Sequence, residues 1–191
     1  MNESKSILLV GVGGQGTILA SKLLTYGLLE SGYDVKMSEI HGMSQRGGSV
    51  STQIRFGDKV YAPTIGYAEA DLLVSFEEME TYRWLEYLKP TGKVILNNYR
   101  LPSAPILAGS ADYPEGIIPE INEKVDATVL DATKIAKDLG NPKATNVVLL
   151  GALIKTMGLM DMDWESIIKA NVKPQYVEGN IKALYKGMEL M

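Results

Sequence analysis

The chain opens with a short apolar run, Ser6-Ile-Leu-Leu-Val10, that ends in glycines, the pattern of a strand buried on both faces of a parallel sheet. Ala20, Leu23, Leu24, Gly27 and Leu28 then recur at helical spacing, and Gly32 stands where a left-handed residue would stop the helix. Residues Asp34 to Glu39 read as the next strand. Strand, glycine turn, helix and strand follow one another over the length of a βαβ unit. Ser49 to Phe56 alternates polar and apolar positions, and Gly57-Asp58 followed by Lys59 to Ala62 suggests the second arm of a hairpin. Ala70 to Ser75 is another buried strand, Glu77 to Leu88 a helix stopped by Pro90, and Lys93 to Leu96 a further strand.

Pro102, Pro105, Pro114 and Pro119 mark a looser stretch before a strand at Ala127 to Leu130 and a helix at Thr133 to Leu139. Asn146 to Met157 is apolar almost all round, so it should be a central buried helix capped by Asn146 or Thr145. Trp164 to Ala170 and Tyr176 to Met188 are two more helices, separated by Pro174. The expected fold is a three-layer α/β Rossmann-like domain spanning 1–191, with a mostly parallel sheet, an antiparallel hairpin and a helical C-terminal third.

Composition narrows the chemistry. The 191 residues contain no cysteine, which excludes disulfides, thiolate zinc sites, a cysteine nucleophile and cysteine-held iron-sulfur clusters. A single histidine, His41, excludes a multi-histidine metal centre, and no metal site is expected. A net charge of −4 supplies no basic footprint for nucleic acid or anionic lipid. The apolar run Val147 to Ile154 is far shorter than a bilayer crossing of roughly 20 residues. The N-terminus lacks a signal-peptide pattern, so a cytoplasmic location is expected.

Two segments carry candidate chemistry. Gly11-Val-Gly13-Gly14-Gln15-Gly16 fits G-x-G-x-x-G between a predicted strand and a predicted helix. In that setting Gly11 allows a tight turn, Gly13 lets backbone approach a ligand, Gly16 lets helix pack on strand, and the amides up to Thr17 favour a phosphate. The bland reading is a glycine turn with no ligand. Glu39, about 23 residues after Gly16, stands where an acid would accept ribose hydroxyls. The second segment, from His41 and Gly42 through Ser44, Gln45, Arg46, Gly47 and Gly48 to Ser49, concentrates polar heads on glycine-rich backbone and suggests a ligand site or a subunit contact. A solvated turn is the alternative. Glu77, Glu78 and Glu80 read as acids complementing a helix start, and Asp163 as a helix cap.

Together, Gly-Val-Gly-Gly-Gln-Gly and Ser-Glu-Ile-His-Gly-Met-Ser-Gln-Arg-Gly-Gly-Ser resemble the gamma-type domain of 2-oxoacid:ferredoxin oxidoreductases. The nearest resemblance is to the small (beta) subunits of the indolepyruvate branch. It covers essentially the full chain, with Asn146 to Ala152 resembling the family's later Leu-Gly-Ala helix. The resemblance implies a hetero-oligomeric oxidoreductase of anaerobic and pyruvate metabolism that oxidatively decarboxylates arylpyruvates to acyl-CoA. Thiamine diphosphate and iron-sulfur clusters would be carried by a large partner subunit, with electrons passed to ferredoxin through the complex. This chain would hold no cofactor alone, would be inactive alone, and would contribute a coenzyme A contact or shape the substrate entrance; no catalytic residue is identifiable. A free-standing NAD(P)-dependent dehydrogenase and a pure assembly subunit with an empty glycine loop remain open as alternatives.

Overall fold

A computed structural model describes residues 4–42 and 47–191. Six strands form one sheet in the order β2-β3-β1-β4-β5-β6. They are β1 (Lys5–Val12), β2 (Asp34–His41), β3 (Ser49–Gly57), β4 (Ala70–Ser75), β5 (Leu88–Asn97) and β6 (Asp126–Leu130). β1, β4, β5 and β6 pair in parallel, while β3 runs antiparallel to both β1 and β2 and stands between them. The strand after the first helix is therefore parallel to β1 but one place removed from it.

The alternation of side chains along β1 divides the core in two. Ile7 and Leu9 join Ala20, Leu23, Leu24 and Leu28 of α1 (Thr17–Glu30) on one face. That face is completed by α5 (Ala132–Asp138), α6 (Thr145–Met157), α7 (Trp164–Asn171) and α8 (Pro174–Glu189). Leu8 and Val10 point the other way, toward Ile65, Leu73 and Leu96, and toward Ile117 and Ile121 of α4 (Ile117–Lys124). Helix α2 (Glu78–Trp84) packs on this second face through Met79 and Trp84. Helices on both faces of a largely parallel sheet make the three-layer arrangement expected from the strand and helix periodicity.

Several boundaries differ from the sequence expectation, each for a local reason. Residues Lys59 to Ala62 form no strand; β3 is flanked on both sides already, and its hairpin partner is β2. Asp34 pins the 59–62 segment instead, accepting the Val60 amide at 2.9 Å. The helix expected from Glu77 to Leu88 ends at Trp84, continues as a 3-10 turn over Leu85–Tyr87, and gives way at Leu88 to β5, which contains Pro90. Pro90 lies where the β4–β5 register shifts between Ala70 and Leu72, a place where a missing amide interrupts no regular ladder. The proline-rich stretch holds α4 and a single turn, α3 (Ala104–Leu107). Pro119 falls in the first turn of α4, where its absent N–H has no helical acceptor to lose. Neither Thr145 nor Asn146 caps α6; the capping position is Ala144, and both side chains bond elsewhere. Asp163 does cap α7, accepting the Ser166 amide at 3.0 Å.

Among the described residues, no helix is long and apolar enough to cross a membrane.

Candidate functional site

The glycine turn lies at the carboxyl end of β1, beside β4. The chain leaves β1 toward one face of the sheet through α1 and leaves β4 toward the other through α2. This is a topological switch point, where open α/β sheets leave a crevice. Two clefts of about 440 Å³ each flank the turn there.

The first cleft is lined by Gly13, Gly14, Gly16, Thr17, Ile18, Glu39, His41 and Val50. From the two sequence-predicted segments and the strand between them, the cleft brings together Gly13, Gly14, Gly16, Thr17, Glu39 and His41. Gly14 (φ 104°) and Gly16 (φ 85°) adopt backbone that L side chains avoid, which turns the loop sharply into α1. Among the described residues no side chain caps α1 and no acid lies in its first turn, so nothing there offsets the positive end of its dipole. Across the cleft stand the half-buried Glu39 and the exposed His41, whose Nδ1 lies 3.2 Å from the Gly42 carbonyl oxygen.

The two glycine-bearing segments are strapped to each other. The Gly13 amide donates to the Gly48 carbonyl at 2.8 Å, and the Gly47 amide donates back to the Gly13 carbonyl at 3.3 Å. Ser49 lies in register with Val12, and its hydroxyl donates to the Glu80 carboxylate at 2.5 Å, so it anchors the loop. Ser44, Gln45 and Arg46 fall outside the described residues.

Gln15 faces inward. Its Oε1 accepts the Val12 amide at 2.7 Å and its Nε2 donates to the Phe76 carbonyl at 3.0 Å, tying the turn to the end of β4. Gly11 belongs to β1 rather than to the turn, and its lack of a side chain leaves room for Gln15 and Phe76. Gly16 packs on Asn146 of α6, whose Nδ2 donates to the Gly16 carbonyl at 3.1 Å, so the close approach is helix to helix rather than helix to strand.

The second cleft, lined by Gly14, Gln15, Gly16, Phe76, Tyr99, Thr133, Pro142, Lys143 and Thr145, was not legible in the sequence. Its residues come from segments that the chain order scatters between β1 and α6.

Glu77, Glu78 and Glu80 do start a helix, yet all three are buried. Glu77 caps α2 by accepting the Glu80 amide at 3.0 Å, and it also accepts the Leu101 amide at 3.1 Å and the Tyr113 hydroxyl. Glu78 pairs with Arg100 at 3.0 Å. Burial pushes the Glu80 carboxyl above the usual range, and Ser49 and Arg83 offset part of that shift. Burial and the neighbouring Glu77 likewise raise the Tyr113 phenol. Among the described residues no cluster of acids and histidine has the makings of a metal site.

Residues 6–190 match the pyruvate ferredoxin/flavodoxin oxidoreductase family. The chain belongs to this family. It is 40% identical to the indolepyruvate oxidoreductase subunit IorB of Pyrococcus horikoshii, over 96% of this chain and 94% of that protein. A similar fold is found in the pyruvate oxidoreductase subunit PORC of Thermotoga maritima, with a TM-score of 0.75 at 24% identity over 98% of this chain and 97% of that one. The 2-oxoglutarate:ferredoxin oxidoreductase of Magnetococcus marinus, solved with 2-oxoglutarate, coenzyme A and succinyl-CoA, contains the fold within a longer chain. Its TM-score is 0.72 at 18% identity, covering all of this chain and 31% of that one. Family membership makes the chain a subunit of an oxidoreductase that works within a complex.

Proposed function

We propose that the chain is the small subunit of an indolepyruvate-type 2-oxoacid:ferredoxin oxidoreductase and that its glycine loop meets the phosphates of coenzyme A. The observation that carries this reading is the strap between Gly13 and Gly47-Gly48, which brings both family motifs to one cleft beside the uncapped start of α1. Helix amides of that kind suit a phosphate group. A chain without cysteine has no ligands for iron-sulfur clusters, and the sequence has no Gly-Asp-Gly thiamine motif. Those cofactors are therefore assigned to a larger partner subunit, which would pass electrons to ferredoxin in the cytoplasm. Arylpyruvates are the proposed substrates because the 40% identical relative is named for indolepyruvate.

The dehydrogenase alternative fits the geometry poorly. In a dinucleotide fold the acid-bearing strand neighbours β1, whereas here β3 intervenes and carries Glu39 away by about 5 Å, one strand spacing. The assembly-only alternative has one observation in its favour, since the Gly13 amide is already satisfied by Gly48.

The test uses the chain combined with its cognate large subunit, assayed by dye reduction with indolepyruvate and coenzyme A. The reading expects full activity only with both chains present. A Gly14→Val change should raise the KM for coenzyme A at least tenfold, about 1.4 kcal/mol. No described atom lies within 4 Å of the Gly14 Cβ position, so the valine would project into the cleft mouth from a strained backbone. An unchanged KM would favour the assembly reading, and full turnover by the large subunit alone would remove any role for this chain in the chemistry.

A further inference from the structure

Glu80 lies outside both clefts, yet it is joined to the first by a short run of contacts. It is 2% exposed on α2, and its carboxylate accepts the Ser49 hydroxyl. Ser49 opens β3, directly after Gly48 and Gly47, whose backbone clasps Gly13 from both sides. On the other side Glu80 rests on a fixed support. Its own amide donates to Glu77, and Glu77 gathers the Leu101 amide and the Tyr113 hydroxyl onto the same carboxylate. Glu80 therefore joins a well-tied helix start, through its backbone amide, to a glycine-rich segment with few side chains to tie it, through a carboxylate that also pairs with Arg83 at 3.3 Å. Glycines left to themselves populate many backbone conformations, so an anchor at Ser49 narrows what Gly47, Gly48 and Gly13 can do.

We propose that Glu80 is a positioning residue. Through the Ser49 hydroxyl it fixes the Gly47-Gly48 backbone against Gly13 and so sets the spacing of the amides that the glycine loop presents to its ligand. This rests on the reading that the loop meets coenzyme A. A buried carboxylate is a costly way to fill space, and an apolar side chain at the same position would serve packing alone at lower cost. The raised carboxyl, facing Glu77, Arg83 and Ser49, agrees with that cost.

The experiment compares Glu80→Leu, Glu80→Gln, Ser49→Ala and the Glu80→Leu/Ser49→Ala double variant, each assembled with the large subunit. Glu80→Leu and Ser49→Ala should each raise the KM for coenzyme A by about three- to tenfold, with kcat and the KM for the oxoacid unchanged. The double variant should be no worse than the more affected single one, because both remove the same link. Glu80→Gln, which keeps an acceptor oxygen, should restore most of the affinity. Amide hydrogen exchange over residues 11–16 and 47–50 should quicken in the Leu and Ala variants while the thermal midpoint of Glu80→Leu does not fall, whereas Ser49→Ala, which leaves the buried carboxylate short of a donor, should lower it. Unchanged exchange in both segments, multiplicative effects of the two substitutions, or a Glu80→Leu midpoint that falls in step with its KM would overturn the proposal. Faster exchange with an unmoved KM for coenzyme A would uphold the grip of Glu80 on the loop and count against the coenzyme A reading alone.

Discussion

Replacing Gly16 by alanine should be one of the more damaging single-methyl changes in the molecule, and the structure separates its causes. The backbone at Gly16 has φ 85° and ψ 21°, a left-handed conformation that costs an L residue roughly 1–2 kcal/mol. A Cβ there would lie 2.7 Å from Asn146 Nδ2 and 3.1 Å from Asn146 Cγ. Asn146 is 4% exposed and cannot swing into water, so relieving the contact breaks its hydrogen bond to the Gly16 carbonyl. That bond is worth about 0.5–1.5 kcal/mol, and Asn146 Oδ1 has no partner among the described residues that would hold the displaced amide. The sum is roughly 1.5–3.5 kcal/mol, or about 3–14 °C in the thermal midpoint for a chain of 191 residues. Urea titration followed by circular dichroism measures it, with the slope checked for constancy. Two companions divide the total. Gly14→Ala has a strained φ of 104° but nothing within 4 Å of its Cβ among the described residues, so it should show backbone strain alone. The double variant Gly16→Ala/Asn146→Ala should lose less than the two single losses added together, since removing the amide also removes the clash. If Gly16→Ala cost less than about 0.5 kcal/mol, or the two losses simply added, the steric account would be wrong.

Two further outcomes are expected. Gly151→Ala would set a Cβ 2.0 Å from the Leu184 carbonyl oxygen, forcing α6 and α8 apart; the overpacking should exceed the helix-propensity gain of about 1 kcal/mol and lower the urea midpoint by at least about 2 kcal/mol in stability. Glu80→Gln should stabilise the fold near neutral pH. Burial raises the folded-state carboxyl above its ordinary 4.5, so the folded chain binds that proton more tightly than the unfolded chain. The wild type keeps this contribution below pH 4.5 and loses it as pH rises through the folded value. The advantage of Gln should therefore grow across that window and vanish in acid, as denaturation at a series of pH values would reveal.

What the sequence made legible was local. The run Ile7 to Val10, the glycines after it and the apolar stripe of α1 specify strand, turn and helix within a few residues of one another, and Gly32 stops the helix with φ 86°. The insertion of β3 between β1 and β2 left no such mark. Alternation along Ser49 to Phe56 announces a strand but carries no information about its neighbours, and Gly57-Asp58 imitates a hairpin turn that the fold does not use. The candidate site divides in the same way. Gly13, Gly14, Gly16, Thr17, Glu39 and His41 converge on one cleft because the turn after β1 and the last residues of β2 lie at the same end of the sheet. Asn146 was drawn from family resemblance, and the structure shows its contact with Gly16 across 130 positions of chain. Glu80 read only as an acid complementing a helix start, because nothing near it in sequence reveals its contact with the Ser49 hydroxyl across 31 positions of chain.

The position of β3 also decides what the glycine fingerprint can mean. In a dinucleotide fold the second glycine is kept bare so that a pyrophosphate can approach its backbone, and the acid on the adjacent strand completes the grip on the ribose. Here the antiparallel strand occupies the place beside β1, and the loop that feeds it presents the Gly48 carbonyl to the Gly13 amide. One strand thus removes two requirements at once: it consumes the amide and moves the acid outward. What the arrangement leaves open is the start of α1 beyond Gly16, with Glu39 and His41 across a wider gap. On the proposed reading, that opening would take a phosphate at one end of a long, flexible ligand rather than a nucleotide clasped at both ends. The proposed coenzyme A reading of the glycine motif therefore rests on strand order, which the motif does not encode.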